Sequence, residues 1–242
     1  MDTLNNFLFI GLPYAALATF LIGTIFRYSK YGYKVSSLSS EFLEGRRLFW
    51  GSQPFHWGIL VVFLGHLIAF LFPRSIILWN GHPVRLLILE ITGFIFGISA
   101  LIGLINLFVR RLTEPRLKVV TNKMDILIEL LLLVQIFFGL WVAYSYRWGS
   151  SWFASVMTPY LWSIFSLSPD IQAVLALPWV VKIHIIGAFL IIGIFPFTRL
   201  VHFLVAPLHY IGRPYQLVIW YRDRRTLRSP NSPWVVKYPK NN

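Results

Sequence analysis

Residues 53–72 read QPFHWGILVVFLGHLIAFLF. The run carries no lysine, arginine, aspartate or glutamate, and as an α-helix it is long enough to cross a hydrocarbon core of about 30 Å. It nevertheless contains two histidines, His56 and His66. The stretch therefore predicts a transmembrane helix that holds two ionisable side chains for a functional reason.

Four more apolar stretches lie on either side of this one. A window of about 19 residues predicts spans 1 to 5 at 6–26, 53–72, 86–109, 124–146 and 179–206. Span 5 is the longest, and Pro196 is the expected point of a kink. We therefore predict an all-α integral membrane protein, a five-helix transmembrane bundle that forms one membrane domain over residues 1–206.

The composition agrees with a membrane protein. Of the 242 residues, 57% are apolar and 13% are charged, whereas soluble domains lie nearer about 45–50% and 25%. The chain has no cysteine, which excludes c-type haem attachment, iron–sulfur clusters on this chain, thiolate zinc sites and disulfides. The net charge of +13 would suggest nucleic acid for a soluble protein, but we predict no nucleic-acid partner because these charges flank membrane spans.

The basic residues are concentrated on one side of the predicted bundle. Most of the 22 lysines and arginines follow span 1, follow span 3, or lie from Arg199 onward. The other side holds only Arg74, Arg85, Arg147 and Lys182. Cationic loops stay in the cytoplasm. We therefore predict an outside N-terminus, a cytoplasmic C-terminus, and a basic cytoplasmic tail at 207–242 that can also attract anionic membrane lipid.

The outer connection 147–178 is aromatic rather than polar. It includes Trp152, Tyr160, Trp162 and Phe165. Such residues favour a short helix in the membrane interface. We interpret it as an aromatic belt without a specific role.

Four of the six histidines lie inside predicted spans, His56 and His66 on span 2 and His184 and His202 on span 5. Pairs of neutral imidazoles hold b-type haem without covalent attachment. Because spans 2 and 5 run in opposite directions, we pair the histidines by depth. His56 pairs with His202 near the inner end, and His66 pairs with His184 further out. The prediction is two bis-histidine haems.

The spacing supports this pairing only in part. On a continuous span 5, the 18 residues between the histidines make five whole turns and about 27 Å of rise. On span 2 the 10 residues give about 15 Å. Either the helices cross, or the haem planes tilt, or a kink at Pro196 shortens span 5. We expect Gly58, Gly65 and Gly187 to leave room for a macrocycle.

A second interpretation of the span histidines stays open. Buried histidines can donate to backbone carbonyls or line a proton path.

His82 and His209 lie outside the spans and are interpreted as surface residues, although His82 is placed where it could contact an outer ligand. Glu90 and Asp125, near span ends, are interpreted as unremarkable. Glu129 lies deeper in its span. Its two predicted roles are membership of a proton path and a hydrogen bond to a neighbouring helix.

The histidines and the segments around them resemble the gamma (cytochrome b) subunit of membrane-bound respiratory nitrate reductase. The resemblance covers residues 4–218 and keeps all four span histidines in register. The matching segments are RY at 27–28, FHWGIL at 55–60, GH at 65–66, RRL at 110–112, PR at 115–116, DIL at 125–127, FPFTRLVH at 195–202 and YQLV at 215–218.

The resemblance implies an electron-transfer subunit in the cytoplasmic (inner) membrane of a prokaryote. Such a subunit oxidises a quinol, menaquinol or ubiquinol, at the outer face and passes electrons inward through two b haems. An iron–sulfur beta subunit and a molybdenum-containing alpha subunit receive them on the cytoplasmic side and reduce nitrate. A chain without cysteine must hand its electrons to another protein, so we expect no nitrate reduction by this chain alone and assign it no catalytic residue.

Two cations are candidates for binding haem propionates. Arg199 lies three residues before His202, on the same face of a helix, where it could reach the inner haem. Lys182, two residues before His184, is the corresponding candidate for the outer haem. For both, a side chain that snorkels to the interface is the alternative.

The predicted quinol site lies beside the outer haem, at Gly65, His66 and Arg85. Gly65 has no side chain to block a ring that approaches the haem edge. Members of the family carry a lysine in this outer loop, and Arg85 is the nearest cation here. An ordinary interfacial anchor is the alternative for Arg85.

Other function classes remain open from the sequence. A related two-haem, quinone-linked subunit could serve sulfite or heterodisulfide chemistry. The same subunit could also work in the reverse direction, toward nitrite oxidation. A haem-free membrane anchor or transporter is the alternative from a different class, although transporters usually show paired repeats and broken helices, which this sequence does not display.

Overall fold

The structure is a computed structural model that describes residues 2–31, 43 and 45–205. Throughout these residues, every regular element is helical. Five helices are long and apolar enough to cross a membrane, which confirms the predicted all-α membrane bundle. They are α1 (Thr3–Tyr31), α2 (Arg46–Leu71), α3 (Pro83–Thr113), α4 (Lys123–Ser145) and α5 (Trp179–Ile194).

The helix ends follow local chemistry rather than hydropathy. Pro83 occupies the first turn of α3, where its missing N–H costs nothing, and it extends the helix beyond the predicted start. α4 begins with a capping box in which Asn122 and Asp125 each accept a hydrogen bond from the other's backbone N–H. Spans 1 and 3 are therefore shorter than the helices that contain them, whereas span 4 matches its helix to within one residue.

Span 5, predicted over 179–206 with a kink at Pro196, is broken next to that proline rather than only kinked. α5 ends at Ile194, and two 3₁₀ segments follow, Phe195–Phe197 and Arg199–Val205, with an extended Thr198 between them. Pro196 cannot donate to the helix ladder, and its ring opposes continuation. Arg27 of α1 donates to the carbonyls of Pro196 and Thr198, so the freed oxygen atoms are satisfied inside the protein.

The helices pack in the order α2, α3, α4, α5, α1. Extensive contacts join α2 to α3, α3 to α4, α4 to α5 and α5 to α1, and among the described residues α2 and α5 are not one of the closely packed pairs. The absence of a side chain on Gly58 lets α2 and α3 cross closely. A Cβ at this position would lie 2.5 Å from the Phe96 carbonyl oxygen. The expected role of Gly58 beside a macrocycle is therefore wrong, since this glycine serves helix packing.

The outer surface of the bundle is apolar. Only 17% to 28% of the residues in the apolar window of each long helix are buried. Large exposed side chains such as Ile22, Leu78 and Ile95 face outward. In water such a surface would be an aggregation hazard. It suits a multi-pass membrane protein whose helices face lipid.

The aromatic connection after α4 is packed into the bundle rather than spread along the interface. Tyr160 is 1% exposed and donates to the Phe9 carbonyl at 2.8 Å, and Tyr14 of α1 donates to the Ile164 carbonyl at 3.1 Å. Burial raises the pKa of the Tyr160 phenol, which therefore stays a donor. Trp162 is exposed as expected. Part of the connection therefore packs into the bundle and stabilises it. The interpretation as an aromatic belt did not include this role.

Residues 207–242, with the predicted basic tail and His209, lie outside the described residues. The described basic residues nevertheless cluster at the end of the bundle where α1, α3 and the 3₁₀ segments finish and α2 and α4 begin. We call this the basic end; it carries Lys30, Arg47, Arg110, Arg111, Arg116, Lys118, Lys123 and Arg199.

Candidate metal centre

The four span histidines lie on the two elements predicted to carry them, although one stands on a different kind of helix. His56 and His66 lie on α2 and His184 on α5, whereas His202 lies on the 3₁₀ segment Arg199–Val205. His82 precedes α3 in extended conformation. The break after Ile194 means that the five-turn geometry expected between His184 and His202 does not apply.

The structure brings His56 and His202 together. Their ring centroids are 6.2 Å apart, and the ring planes are inclined by 59°. Two metal–nitrogen bonds of about 2.0–2.1 Å, plus about 1.2 Å from each nitrogen to its ring centre, would separate two coordinating imidazoles by about 6.5 Å. The spacing therefore fits one iron ion between the two rings.

The hydrogen bonds of the α2 histidines leave one ring nitrogen for a metal. The Nδ1 of His56 lies 2.8 Å from the Ser52 carbonyl oxygen, and the Nδ1 of His66 lies 2.8 Å from that of Val62. Each Nδ1 then carries the proton, and Nε2 keeps its lone pair. Metal-ligating histidines almost always donate their other N–H in this way.

The two later histidines follow the same pattern with different partners. The Nδ1 of His202 lies 2.6 Å from the Arg199 carbonyl oxygen within its own segment. The Nδ1 of His184 lies 3.0 Å from the Gln135 carbonyl oxygen, on α4. The interpretation of the span histidines as donors to carbonyls accounts for these Nδ1 contacts, but for His56, His66 and His202 it uses only one nitrogen of each ring.

The His184 side chain lies in a tight contact with α4. A Cβ on Gly139 would come within 2.9 Å of its Cε1 atom. The Gln135 amide donates to the His184 carbonyl at 3.0 Å, and its Nε2 lies 3.5 Å from His184 Nε2. Gln135 and Gly139, one helical turn apart, are site residues that sequence reasoning did not assign. A glutamine inside an apolar span was the available signal.

The second predicted pair is less closely joined than the first. The His66 ring packs edge-to-face on Phe153, with centroids 5.1 Å apart, and the His184 ring lies against α4. A Cβ on Gly187 would collide with the Gln135 amide. The expected role of Gly187 beside a macrocycle is therefore wrong, and this glycine instead accommodates Gln135.

The donor set has consequences for the kind of metal group. Across residues 2–31 and 45–205, the structure holds no cluster of three or more His, Asp or Glu side chains. Protein sites for a bare ion usually need three or four such ligands. A haem supplies four nitrogen atoms of its own, so a pair of histidines such as His56 and His202 would be enough to hold it.

The basic end contains a buried network of ion pairs. Asp125, 3% exposed, accepts from Arg199 Nε at 2.8 Å and lies 3.5 Å from Arg111 Nη1. Arg111 also donates through Nε to Glu129 at 2.8 Å. The interpretation of Asp125 as unremarkable is wrong, because it joins α3, α4 and the 3₁₀ segment. Glu129 bonds a neighbouring helix, the second of its two predicted roles.

The remaining predicted site residues lie toward the opposite end of the bundle. Lys182 donates to the Leu175 carbonyl at 2.8 Å. The Arg85 guanidinium lies over the Trp79 ring, 5.4 Å from its centroid, while the Trp79 indole donates to the Arg85 carbonyl at 3.3 Å. The position of a Cβ on Gly65 has no neighbour within 4 Å. The face of α2 at Gly65 is therefore open.

Comparisons with known proteins agree with the resemblance of the sequence segments. The chain is 32% identical to the nitrate reductase gamma chain of Bacillus subtilis over 217 residues, which are 88% of this chain and 96% of that one. It is 33% identical to the respiratory nitrate reductase 2 gamma chain of Escherichia coli over 226 residues, 92% of this chain and 98% of that one.

A third relative is much longer than this chain. The nitrate reductase-like protein NarX of Mycobacterium tuberculosis is 32% identical over 247 residues, which cover 93% of this chain and 35% of that protein. A model of the nitrate reductase gamma subunit family matches residues 5–221. By this match and by its likeness to gamma chains over nearly their whole length, the chain belongs to the nitrate reductase gamma subunit family.

Proposed function

We propose that this chain is a dihaem cytochrome b subunit that oxidises quinol and passes the electrons to a nitrate reductase. The observation that carries the proposal is the His56–His202 pair, whose rings stand 6.2 Å apart with each Nδ1 on a backbone carbonyl. Family membership favours nitrate reductase over sulfite or heterodisulfide chemistry.

Four histidines would hold two b haems. His56 and His202 would hold one of them, and His66 and His184 would hold the other. When bound, haem iron supplies reversible one-electron transfer at a potential that its ligands and surroundings set. The chain contributes rigid ligands, because a proton fixed on each Nδ1 leaves Nε2 basic and the ring oriented.

The surroundings of the histidines keep water away from the path. The apolar windows of the helices that carry His56, His66 and His184 are mostly exposed on the outside of the bundle, where lipid would cover them. An electron that moves between two sites in such a medium meets little solvent to reorganise. The protein's part in transfer is thus to fix the distance between the two sites and to exclude water.

The charge distribution gives the direction of insertion. Because cationic loops stay in the cytoplasm, the basic end faces inward, the N-terminus lies outside and the C-terminus lies in the cytoplasm. The His56–His202 pair is then the inner site. Electrons leave there for an iron–sulfur beta subunit and a molybdenum-containing alpha subunit, since this chain has no cysteine for a cluster.

Quinol, menaquinol or ubiquinol, would enter beside the outer pair, at Gly65, His66 and Arg85. The open face at Gly65 admits a planar ring. The Arg85 guanidinium is exposed at the start of α3 and can donate to a quinol oxygen. We assign Lys182 and Arg199 to the propionates of the outer and inner haem, in addition to the contacts that they make with protein groups.

A haem count tests the proposal. The wild-type chain, purified from membranes in detergent, should contain two haem b by pyridine haemochrome analysis and show a cytochrome b spectrum after reduction with dithionite. The control is the same chain with all four span histidines replaced by alanine, which should bind none. One haem per wild-type chain, or none, would rule out the proposed function.

A further inference from the structure

His202 stands on a segment that lacks the stiffness of an α-helix. The 3₁₀ segment Arg199–Val205 follows an extended residue, Thr198, and short 3₁₀ stretches have poorer hydrogen-bond geometry than α-helices. A ligand on such a segment needs an external constraint to hold its ring in one orientation. The other three span histidines stand on long α-helices.

The constraint on His202 begins at Arg199. Its carbonyl oxygen lies 2.6 Å from His202 Nδ1, and its side chain is fixed at two further points. Nε donates to Asp125 Oδ1 at 2.8 Å, and Nη2 donates to the Val120 carbonyl at 2.8 Å. The residue that orients the imidazole is therefore held to α4 and to the turn before it.

Asp125 is a rigid anchor for this contact. Its side chain is 3% exposed, and its Oδ2 accepts the Asn122 backbone N–H in the capping box of α4. Arg111 lies 3.5 Å from the same carboxylate oxygen and adds a second cation. Both oxygen atoms are thus engaged by groups on other parts of the bundle, which leaves the carboxylate little freedom to move.

α4 contacts His184 directly and reaches His202 through Arg199. Gln135 orients His184 directly through its carbonyl oxygen, and Asp125 acts on His202 through Arg199. Asp125 and Gln135 are 10 residues apart, the same separation as His56 and His66 on α2. Both intervals correspond to about 15 Å of helix rise.

We propose that Asp125 is a positioning residue for His202, acting through the Arg199 guanidinium to fix the 3₁₀ segment and the angle of the imidazole ring at the inner haem site. The inference rests on the proposed function, because it concerns a haem ligand. It assigns to the Asp125–Arg199 pair a role in ligand geometry beyond stabilising the fold.

The experiment uses the EPR spectrum of the oxidised wild-type chain and of four variants, one of which is the control described below. In ferric bis-imidazole haem the g values depend on the angle between the two imidazole planes, which is 59° for His56 and His202. The variants Asp125→Asn and Arg199→Lys should each shift the signal of the inner haem and leave that of the outer haem in place. His66→Tyr, which removes the outer signal, assigns the two.

Haem retention provides a second measurement. Removing the group that orients a metal-ligating histidine costs about 10–100-fold in affinity, so we expect Asp125→Asn to weaken the inner site about 10-fold or more. Transfer of haem to excess apomyoglobin measures this loss, while the outer haem in the same molecule reports that the chain is folded. If Asp125→Asn does not accumulate, Asp125→Glu replaces it, since it keeps the negative charge and moves the carboxylate away from Arg199.

The matched control is Glu129→Gln. It removes a negative charge one turn further along α4, from a carboxylate that pairs with Arg111 rather than with Arg199. Its inner-haem signal should match the wild type. An unchanged inner signal in Arg199→Lys, or the same shift in Glu129→Gln, would overturn the inference. A wild-type chain without two haem signals would overturn the proposed function itself and this inference with it.

Discussion

The imidazole rings of His56 and His202 face each other with their centroids 6.2 Å apart, although one comes from the second long helix and the other from the segment that follows the fifth. α2 and α5 are not among the closely packed helix pairs of the described chain. The meeting of these rings therefore does not follow from tight packing between their helices. It follows from the constraints on each ring.

Single substitutions should separate the two proposed haem sites. His66→Tyr or His184→Tyr removes one ligand of the outer pair, so the outer haem should be lost while the inner haem stays detectable. His56→Tyr should have the opposite effect. Reduced-minus-oxidised spectra at low temperature, where the two haems give distinct bands, measure this. Loss of both haems from every variant would contradict two independent sites.

The chain should depend on partner proteins for nitrate chemistry. It has no cysteine to hold a cluster, so we expect no nitrate reductase activity from the purified chain with reduced viologen as donor. A mild detergent extract of native membranes should instead yield the chain together with a subunit that shows iron–sulfur EPR signals. Purification of the chain alone as an active nitrate reductase would refute this prediction.

The close crossing of α2 and α3 should be sensitive to a single methyl group. A Cβ on Gly103 would lie 2.7 Å from the Gly51 carbonyl oxygen and 2.9 Å from the Phe55 Cα atom. Because backbone cannot move aside cheaply, Gly103→Ala should destabilise the bundle by about 1–3 kcal/mol. Gly93→Ala is the matched control on the same helix, since its Cβ would meet nothing within 4 Å. Thermal unfolding in detergent should show a lower midpoint for Gly103→Ala only.

The amino-acid sequence predicts most of this fold because its signals are local. Apolar runs and flanking charges locate five spans, and the pair of histidines on residues 53–72 points to a cofactor. Pro196 indicates an irregularity, but not that a 3₁₀ segment replaces the last turns of the helix. That outcome depends on Arg27, which satisfies the freed carbonyls from another helix.

The polar residues of α4 could not be assigned from sequence for a similar reason. The sequence indicates that Asp125 caps a helix, and the structure contains this cap. Asp125 also pairs with Arg199, which lies far along the chain. Gln135 and Gly139 have meaning only once His184 is placed against them. Hydropathy and spacing describe one helix at a time, whereas these contacts depend on which helices become neighbours.

The contact between His184 and α4 leads to a further prediction. Since a Cβ on Gly139 would come within 2.9 Å of His184 Cε1, Gly139→Ala should turn the imidazole and weaken the outer haem without affecting the inner one. Haem content and the low-temperature spectrum measure the effect, again with Gly93→Ala as the control. An outer haem that is retained as firmly as in wild type would show that His184 adopts another orientation when haem is bound.

The proposed quinol site is tested at Arg85. If its guanidinium donates to a quinol oxygen, Arg85→Ala should slow the reduction of the haems by a quinol analogue about 10-fold, the effect of losing a hydrogen bond worth about 1.5 kcal/mol. The absorption spectra of both haems should stay intact, because Arg85 is not a ligand. Arg74→Ala is the control. Like Arg85, Arg74 is an exposed cation, but it lies in the connection between α2 and α3. Equal slowing in both variants would indicate a general charge effect instead of a specific contact.

The position of the proposed quinol site predicts the side of the membrane on which protons are released. Quinol oxidised beside the His66–His184 pair releases its protons at the end of the bundle opposite Arg111 and Arg199, while the electrons travel toward the basic end. Turnover is then electrogenic, because charge separates across the membrane. Proteoliposomes with the chain in one orientation, a pH dye on each side and an artificial acceptor at the basic end measure this directly. Protons released on the side of the basic end would place quinol oxidation at the His56–His202 pair and reverse the assigned order of the two sites.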